Sequence, residues 1–109
     1  MIIVIQKKVT KEELEKAKEE FKDYIKVVVD IEKQIAAIGG RLHADAEKIL
    51  LEQGSLQVNL WGGGFDLQTD LLDTQAMINI RPNQNNDNME ILDVEIRNKF
   101  LKIAERLLK

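Results

Sequence analysis

The run Ile25-Lys-Val-Val-Val-Asp-Ile-Glu-Lys-Gln-Ile-Ala-Ala-Ile-Gly-Gly40 decides the fold class. Ile25 to Ile31 is rich in β-branched residues, which fit a pleated, half-buried surface. Ile35 to Ile38 is a second strand-like run, closed by Gly39-Gly40. Two strands so close in sequence form an antiparallel hairpin, with Lys33-Gln34 as the reversal.

Upstream, Ile2 to Ile5 is wholly apolar and reads as a short strand buried on both faces. Thr10-Lys-Glu-Glu13 forms a capping box, in which hydroxyl and carboxylate each satisfy an unpaired amide. Leu14, Ala17 and Phe21 follow at helical spacing, predicting an amphipathic helix of about three turns. The charge-dense stretch Lys11 to Glu20 is its solvated face.

Downstream, Ala44 to Glu52 is predicted helical, with Ile49 and Leu50 on its apolar side and Gly54 as its stop. Leu56 to Leu60 alternates apolar with polar, the period of a half-buried strand. It runs into Trp61-Gly-Gly-Gly-Phe65-Asp66-Leu67, where three glycines predict a bulge or a close backbone approach. Thr69-Asp70 turns the chain into a further strand, Leu71 to Ile80, which stops at Arg81 because Pro82 cannot donate a ladder hydrogen bond. Asn83 to Asn88 is a polar loop. Asp93 then caps a helix in which Ile96, Phe100, Ile103 and Leu107 share one face. The expected order is β-α-β-β-α-β-β-α: an α+β domain over residues 1–109, with three helices and a mostly antiparallel sheet of about five strands.

Composition excludes several classes. In 109 residues there are one His, one Pro and no Cys, so thiol nucleophiles, disulfides and cysteine–zinc sites are ruled out. No apolar run approaches the roughly 20 residues that cross a bilayer. Met1 to Ile5 is too short for a signal-peptide core, which leads to the expectation of a cytoplasmic protein. With 44% hydrophobic and 32% charged residues, disorder is not expected.

The net charge of −3 is uneven. Residues 49–90 hold six acids (Glu52, Asp66, Asp70, Asp73, Asp87 and Glu90) against one base, Arg81. The two ends of the chain are slightly basic. An acidic middle argues against nucleic acid as a partner, since phosphate neutralisation supplies most of that affinity.

Gly39-Gly-Arg-Leu-His-Ala-Asp-Ala-Glu47, Gly54-Ser, Asn59-Leu-Trp-Gly-Gly-Gly64 and Met77-Ile-Asn-Ile-Arg-Pro82 together resemble a small bacterial and archaeal family of uncharacterised proteins. The resemblance runs from the first strand to the last helix. It implies a prokaryotic cytoplasmic setting and carries no assigned reaction. One departure is Val94, where similar members often have Pro. Proline favours the first helical position, so the change bears on helix preorganisation and on no site.

The candidate residues each carry two readings. His43, Asp45 and Glu47 would share one side of an extended segment, an imidazole and two carboxylates suited to a divalent metal. On a helix, His43 and Glu47 are neighbours and Asp45 points away, leaving the acids to offset the helix dipole. Asp30 and Glu32 alternate on a strand, as paired carboxylates or as the wet side of a hairpin. Arg81 with Asn83, Gln84 and Asn86 offers a fork and amides for a carboxylate or phosphate. The alternative is an internal ion pair with one of the six acids around it in sequence. Trp61 is a stacking platform or a core anchor. No phosphate-cradling loop, dinucleotide fingerprint or nucleophile elbow is present, and Ser55 is the only serine.

The expected function is a binding or interaction domain without a cofactor, with the loop Arg81 to Asn88 as its ligand site. A homodimer is the expected assembly, because one sheet and three helices leave apolar elements uncovered. The alternative is a metal-assisted hydrolase using His43, Asp45 and Glu47.

Overall fold

A computed structural model describes all 109 residues. The element order is the expected one: β1 (Ile3–Ile5), α1 (Lys11–Ala17), β2 (Tyr24–Asp30), β3 (Ile35–Ile38), α2 (His43–Glu52), β4 (Leu60–Asp66), β5 (Leu71–Asp73) and α3 (Val94–Leu108). The strands form one antiparallel sheet in the order β1-β3-β2-β4-β5. This is an α+β fold.

The long central pair carries the architecture. β2 and β4 are in register from Tyr24 opposite Asp66 to Asp30 opposite Leu60. Successive strand residues face opposite sides, so Ile25, Val27 and Val29 pack with Phe100, Ile103 and Leu107 of α3. Val28 packs the other way, with Ala37, Leu60 and the α2 residues Ala46 and Leu50. Covering both faces explains why Val27-Val28-Val29 is an unbroken apolar run. Each such side chain contributes about 1.5–3 kcal/mol on full burial.

Several boundaries differ from the sequence expectations, each for a physical reason. β1 lies at the sheet edge, so Ile3 and Val4 are half-buried and only Ile5 is buried. The capping box of α1 is formed, with Thr10 and Glu13 exchanging bonds of 2.9 and 3.1 Å. The helix nonetheless ends at Ala17. The chain leaves toward β2, and Phe21 rests under the Lys26 ammonium at 5.1 Å.

Of the stretch Leu56 to Leu60, only Leu60 is in a strand. Gln57–Asn59 forms a 3-10 turn, with Leu56 and Val58 exposed. β2 ends opposite Leu60, so earlier residues have no strand to pair with. The three glycines make no bulge either, because the ladder passes through them in regular register. They allow close approach on both faces. A Cβ on Gly63 would strike the Phe100 ring at 2.7 Å, and one on Gly62 would strike Ala76 at 2.6 Å. The predicted strand Leu71 to Ile80 is cut to Leu71–Asp73, after which the chain lifts away into a 3-10 turn at Met77–Asn79.

Asp93 caps α3, accepting from the Ile96 amide at 3.1 Å, with Val94 exposed at the first helical position. No helix is long and apolar enough to cross a membrane.

Candidate functional site

Arg81 lies buried along the outer edge of β4, beyond the point where β5 stops. Its Nε donates to the Ile78 carbonyl at 2.9 Å, and one terminal nitrogen to the Gln57 carbonyl at 2.8 Å and to Gln84 Oε1 at 3.2 Å. The other terminal nitrogen donates to the Leu60 carbonyl. The guanidinium also stacks on the Trp61 ring, 4.5 Å from its centroid. Its carboxylate neighbour is Glu47 of α2, at 3.6 Å, which is none of the six acids nearest in sequence. Burial pushes the Arg81 pKa down and Glu47 pushes it back up. Every nitrogen of this arginine is held by the protein itself.

The residues around it divide. Asn83 is exposed on the turn Pro82–Gln84. Asn86 is buried, its Nδ2 close to the carbonyls of Asn79, Asn88 and Glu90 while its Oδ1 accepts from the Leu92 amide at 2.9 Å. Asn86 organises the loop. Trp61 is buried in the core, with no hydrogen-bond partner for its indole nitrogen.

The acids of the metal reading do not converge with the imidazole. α2 begins at His43, so the helical spacing applies. Asp45 is exposed, Glu47 turns to Arg81, and no group of three His, Cys, Asp or Glu side chains is placed to hold a metal. Asp30 and Glu32 also part. Asp30 is buried, accepting from the Glu32 and Lys33 amides at 2.9 Å and from the Ser55 hydroxyl at 2.6 Å, whereas Glu32 is exposed. Asp30 braces the hairpin turn.

His43 instead stands on the wall of a cleft of about 790 Å³. The start of α2, the strands β2 and β5, and the segment from Gln75 to Met89 enclose it. Its apolar lining includes Leu42, Ala76, Met77, Ile78 and Met89; its polar groups are Tyr24, Lys26, His43, Asp73 and Gln75. Gly64 shapes one end. It lies between Lys26 and Asp73 in the ladder, and the Tyr24 ring crosses it to donate to Asp73 at 2.8 Å. Burial and the Asp73 carboxylate push the Tyr24 hydroxyl pKa upward, so it remains a donor.

The backbone around the glycines is also open to His43, whose Nε2 lies 2.6 Å from the Gly63 carbonyl. A carbonyl only accepts, so Nε2 carries the proton and the neutral ring leaves Nδ1 unprotonated. Burial lowers the His43 pKa, Lys26 lowers it further, and the Gly63 carbonyl and Asp73 oppose them.

Two predictions arise here. The folded-state pKa of His43 lies below its unfolded value, so the unfolded chain binds the proton first as pH falls. The stability contributed by the neutral ring is complete above about pH 6.5 and is lost as pH falls through the folded-state pKa. As the only imidazole in the chain, His43 gives one NMR titration curve, expected below the ordinary range. His43→Gln should flatten the corresponding part of the urea stability profile between pH 7 and 5. Gly64→Ala places a Cβ onto the Tyr24 hydroxyl. It should cost about 1–3 kcal/mol and shift the Tyr24 ring resonances as the bond to Asp73 breaks.

The profile of DUF5674, described as a protein of unknown function, matches residues 3–107. The chain belongs to this family. No curated protein and no solved structure matches it. The DUF5674 match spans every element of the sheet, and so includes both the Arg81 lock and the cleft.

Sequence reasoning found His43 but missed Tyr24, Lys26, Asp73 and Asn79. The available signal was the glycine run. Once the register is known, Gly64 stands beside Lys26, and the missing side chain is what lets the Tyr24 ring cross to Asp73.

Proposed function

We propose that this chain is a binding domain for a small amphipathic molecule, seated in the cleft between the start of α2 and the segment Gln75 to Met89. The observation that carries this reading is the cleft itself. Its volume of about 790 Å³ falls in the range of small-molecule sites, and its mainly apolar walls hold a few polar groups, the usual make-up of such sites. Met77, Leu42 and Met89 are exposed at its walls, and methionine adapts its shape to varied apolar ligands.

The ligand site moves accordingly from the loop Arg81 to Asn88 to the cleft, whose lining includes Ile78 and Met89 on either side of that loop in sequence but none of its residues. A cytoplasmic setting and a homodimer complete the reading. A strictly monomeric sedimentation profile removes the dimer.

The test is a screen of small aromatic and aliphatic fragments against ¹⁵N-labelled protein. Shifts should gather at Lys26, His43, Ala44, Gln75 and Met77. Shifts scattered over the surface, or gathered elsewhere, defeat the proposal. Met77→Glu should weaken fragment binding about tenfold, roughly the burial of two methylene groups, and leave the melting temperature unchanged because Met77 is exposed.

A further inference from the structure

The cleft walls carry four groups that bear charge or exchange a proton: Tyr24 and Lys26 from β2, Asp73 from β5 and His43 from α2. The segment from Gln75 to Met89 adds no titratable side chain to the lining, and on α2 Glu47 is turned to Arg81. Each Asp73 oxygen already accepts a hydrogen bond, one from Tyr24 and the other from the Gln75 amide at 3.1 Å. Lys26 has no such engagement. Its ammonium makes no ion pair, and rests 5.1 and 5.6 Å from the Phe21 and Tyr24 ring centroids. The unmet chemistry is an ammonium without an ion pair and an unprotonated ring nitrogen on the wall of one largely apolar cleft, whose single carboxylate already accepts two hydrogen bonds. An anionic head group can pair with the ammonium, whereas a cationic one would have to compete with Lys26 for Asp73, whose oxygens already accept from Tyr24 and Gln75.

We propose that the ligand is an amphipathic organic acid, its carboxylate against Lys26 and its apolar body along Leu42, Met77, Ile78 and Met89, and that its binding draws a proton onto His43. This rests on the reading of the cleft as a small-molecule site, and adds the charge of the ligand. The proton follows from electrostatics. Burial and Lys26 both disfavour a charged His43, and a carboxylate beside the ring works against them. By linkage, the acid binds more tightly as the pH falls toward His43 titration, as long as the acid itself stays ionised.

The test compares 2-naphthoate, 2-naphthol and 2-naphthylmethylammonium, which share one ring system and differ in head group, by NMR titration of the full chain. At pH 7 the carboxylate should bind at least about tenfold more tightly than the ammonium, the scale of one partly screened charge contact, with the naphthol between them. Lys26→Met should abolish the carboxylate's advantage and Lys26→Arg should restore it. Saturating 2-naphthoate should move the His43 titration curve to higher pH. If the three bind alike, or His43 titrates unchanged at saturation, the inference about charge and proton fails while the cleft remains a binding site. If none of the three perturbs the cleft, the binding reading fails and this inference falls with it.

Discussion

Replacing Arg81 by leucine is expected to lower the unfolding free energy by about 3–5 kcal/mol, the range for breaking a buried charge pair from one side. The substitution removes the cation beside Glu47, whose Oε2 is buried and makes no hydrogen bond, and strands the carbonyls of Gln57, Leu60 and Ile78. Leucine keeps an apolar contact with Trp61, so packing alone accounts for little of the loss. Two measurements separate charge from hydrogen bonding. Arg81→Lys preserves the charge but lacks the planar fork, and should recover less than half of the stability. The double variant Arg81→Leu with Glu47→Leu removes the unpaired carboxylate and should be more stable than Arg81→Leu alone. If Arg81→Leu unfolds in urea at the wild-type midpoint, the guanidinium is not holding this edge.

Asn79→Ala is expected to cost about 2–6 kcal/mol, from the two backbone groups of Gly62 left unpaired at about 1–3 kcal/mol each. Asn79 is fully buried. Its Oδ1 accepts from the Gly62 amide at 2.8 Å, and its Nδ2 donates to the Gly62 carbonyl at 2.9 Å. The same nitrogen reaches the Met89 carbonyl at 2.9 Å and the Thr74 carbonyl at 3.3 Å. One side-chain amide thus plays the part of a backbone peptide in the next strand. Amide hydrogen exchange reads this directly. In Asn79→Ala the Gly62 amide should lose its protection, while the Gly63 amide, on the alternate side of the strand, keeps most of its own. Loss of protection across all of β4 would instead mean that the strand depends on the whole segment.

The sheet was legible in the sequence because β-branched runs and close strand spacing both reported it. Thr10 to Glu13 and Asp93 were legible as caps because their bonds are local, spanning three residues. The strand expected over Leu71 to Ile80 illustrates what is not local. Its composition fits a strand, yet Asn79 and Arg81 make better use of the β4 edge with side chains than the backbone would with a ladder. Arg81 stands out in the sequence as a lone cation. Its partner does not, because Glu47 reaches it through the packing of α2, which sequence distance does not encode. The cleft was invisible for the same reason. Tyr24, Lys26 and Asp73 meet only because β2, β4 and β5 are in one particular register around Gly64.

The outer edge of β4, closed by two side chains where a strand would end, bears on how this protein avoids self-association into fibrils. An open sheet edge is a template for strands of other molecules. Here an incoming strand would have to displace Asn79 from Gly62 and Arg81 from Leu60 before it could add a single rung. The two end strands, β1 and β5, have three residues each and are too short to template much. Loss of Asn79 should therefore show first as thioflavin-positive aggregation during partial unfolding, at denaturant concentrations where the wild-type chain stays dispersed.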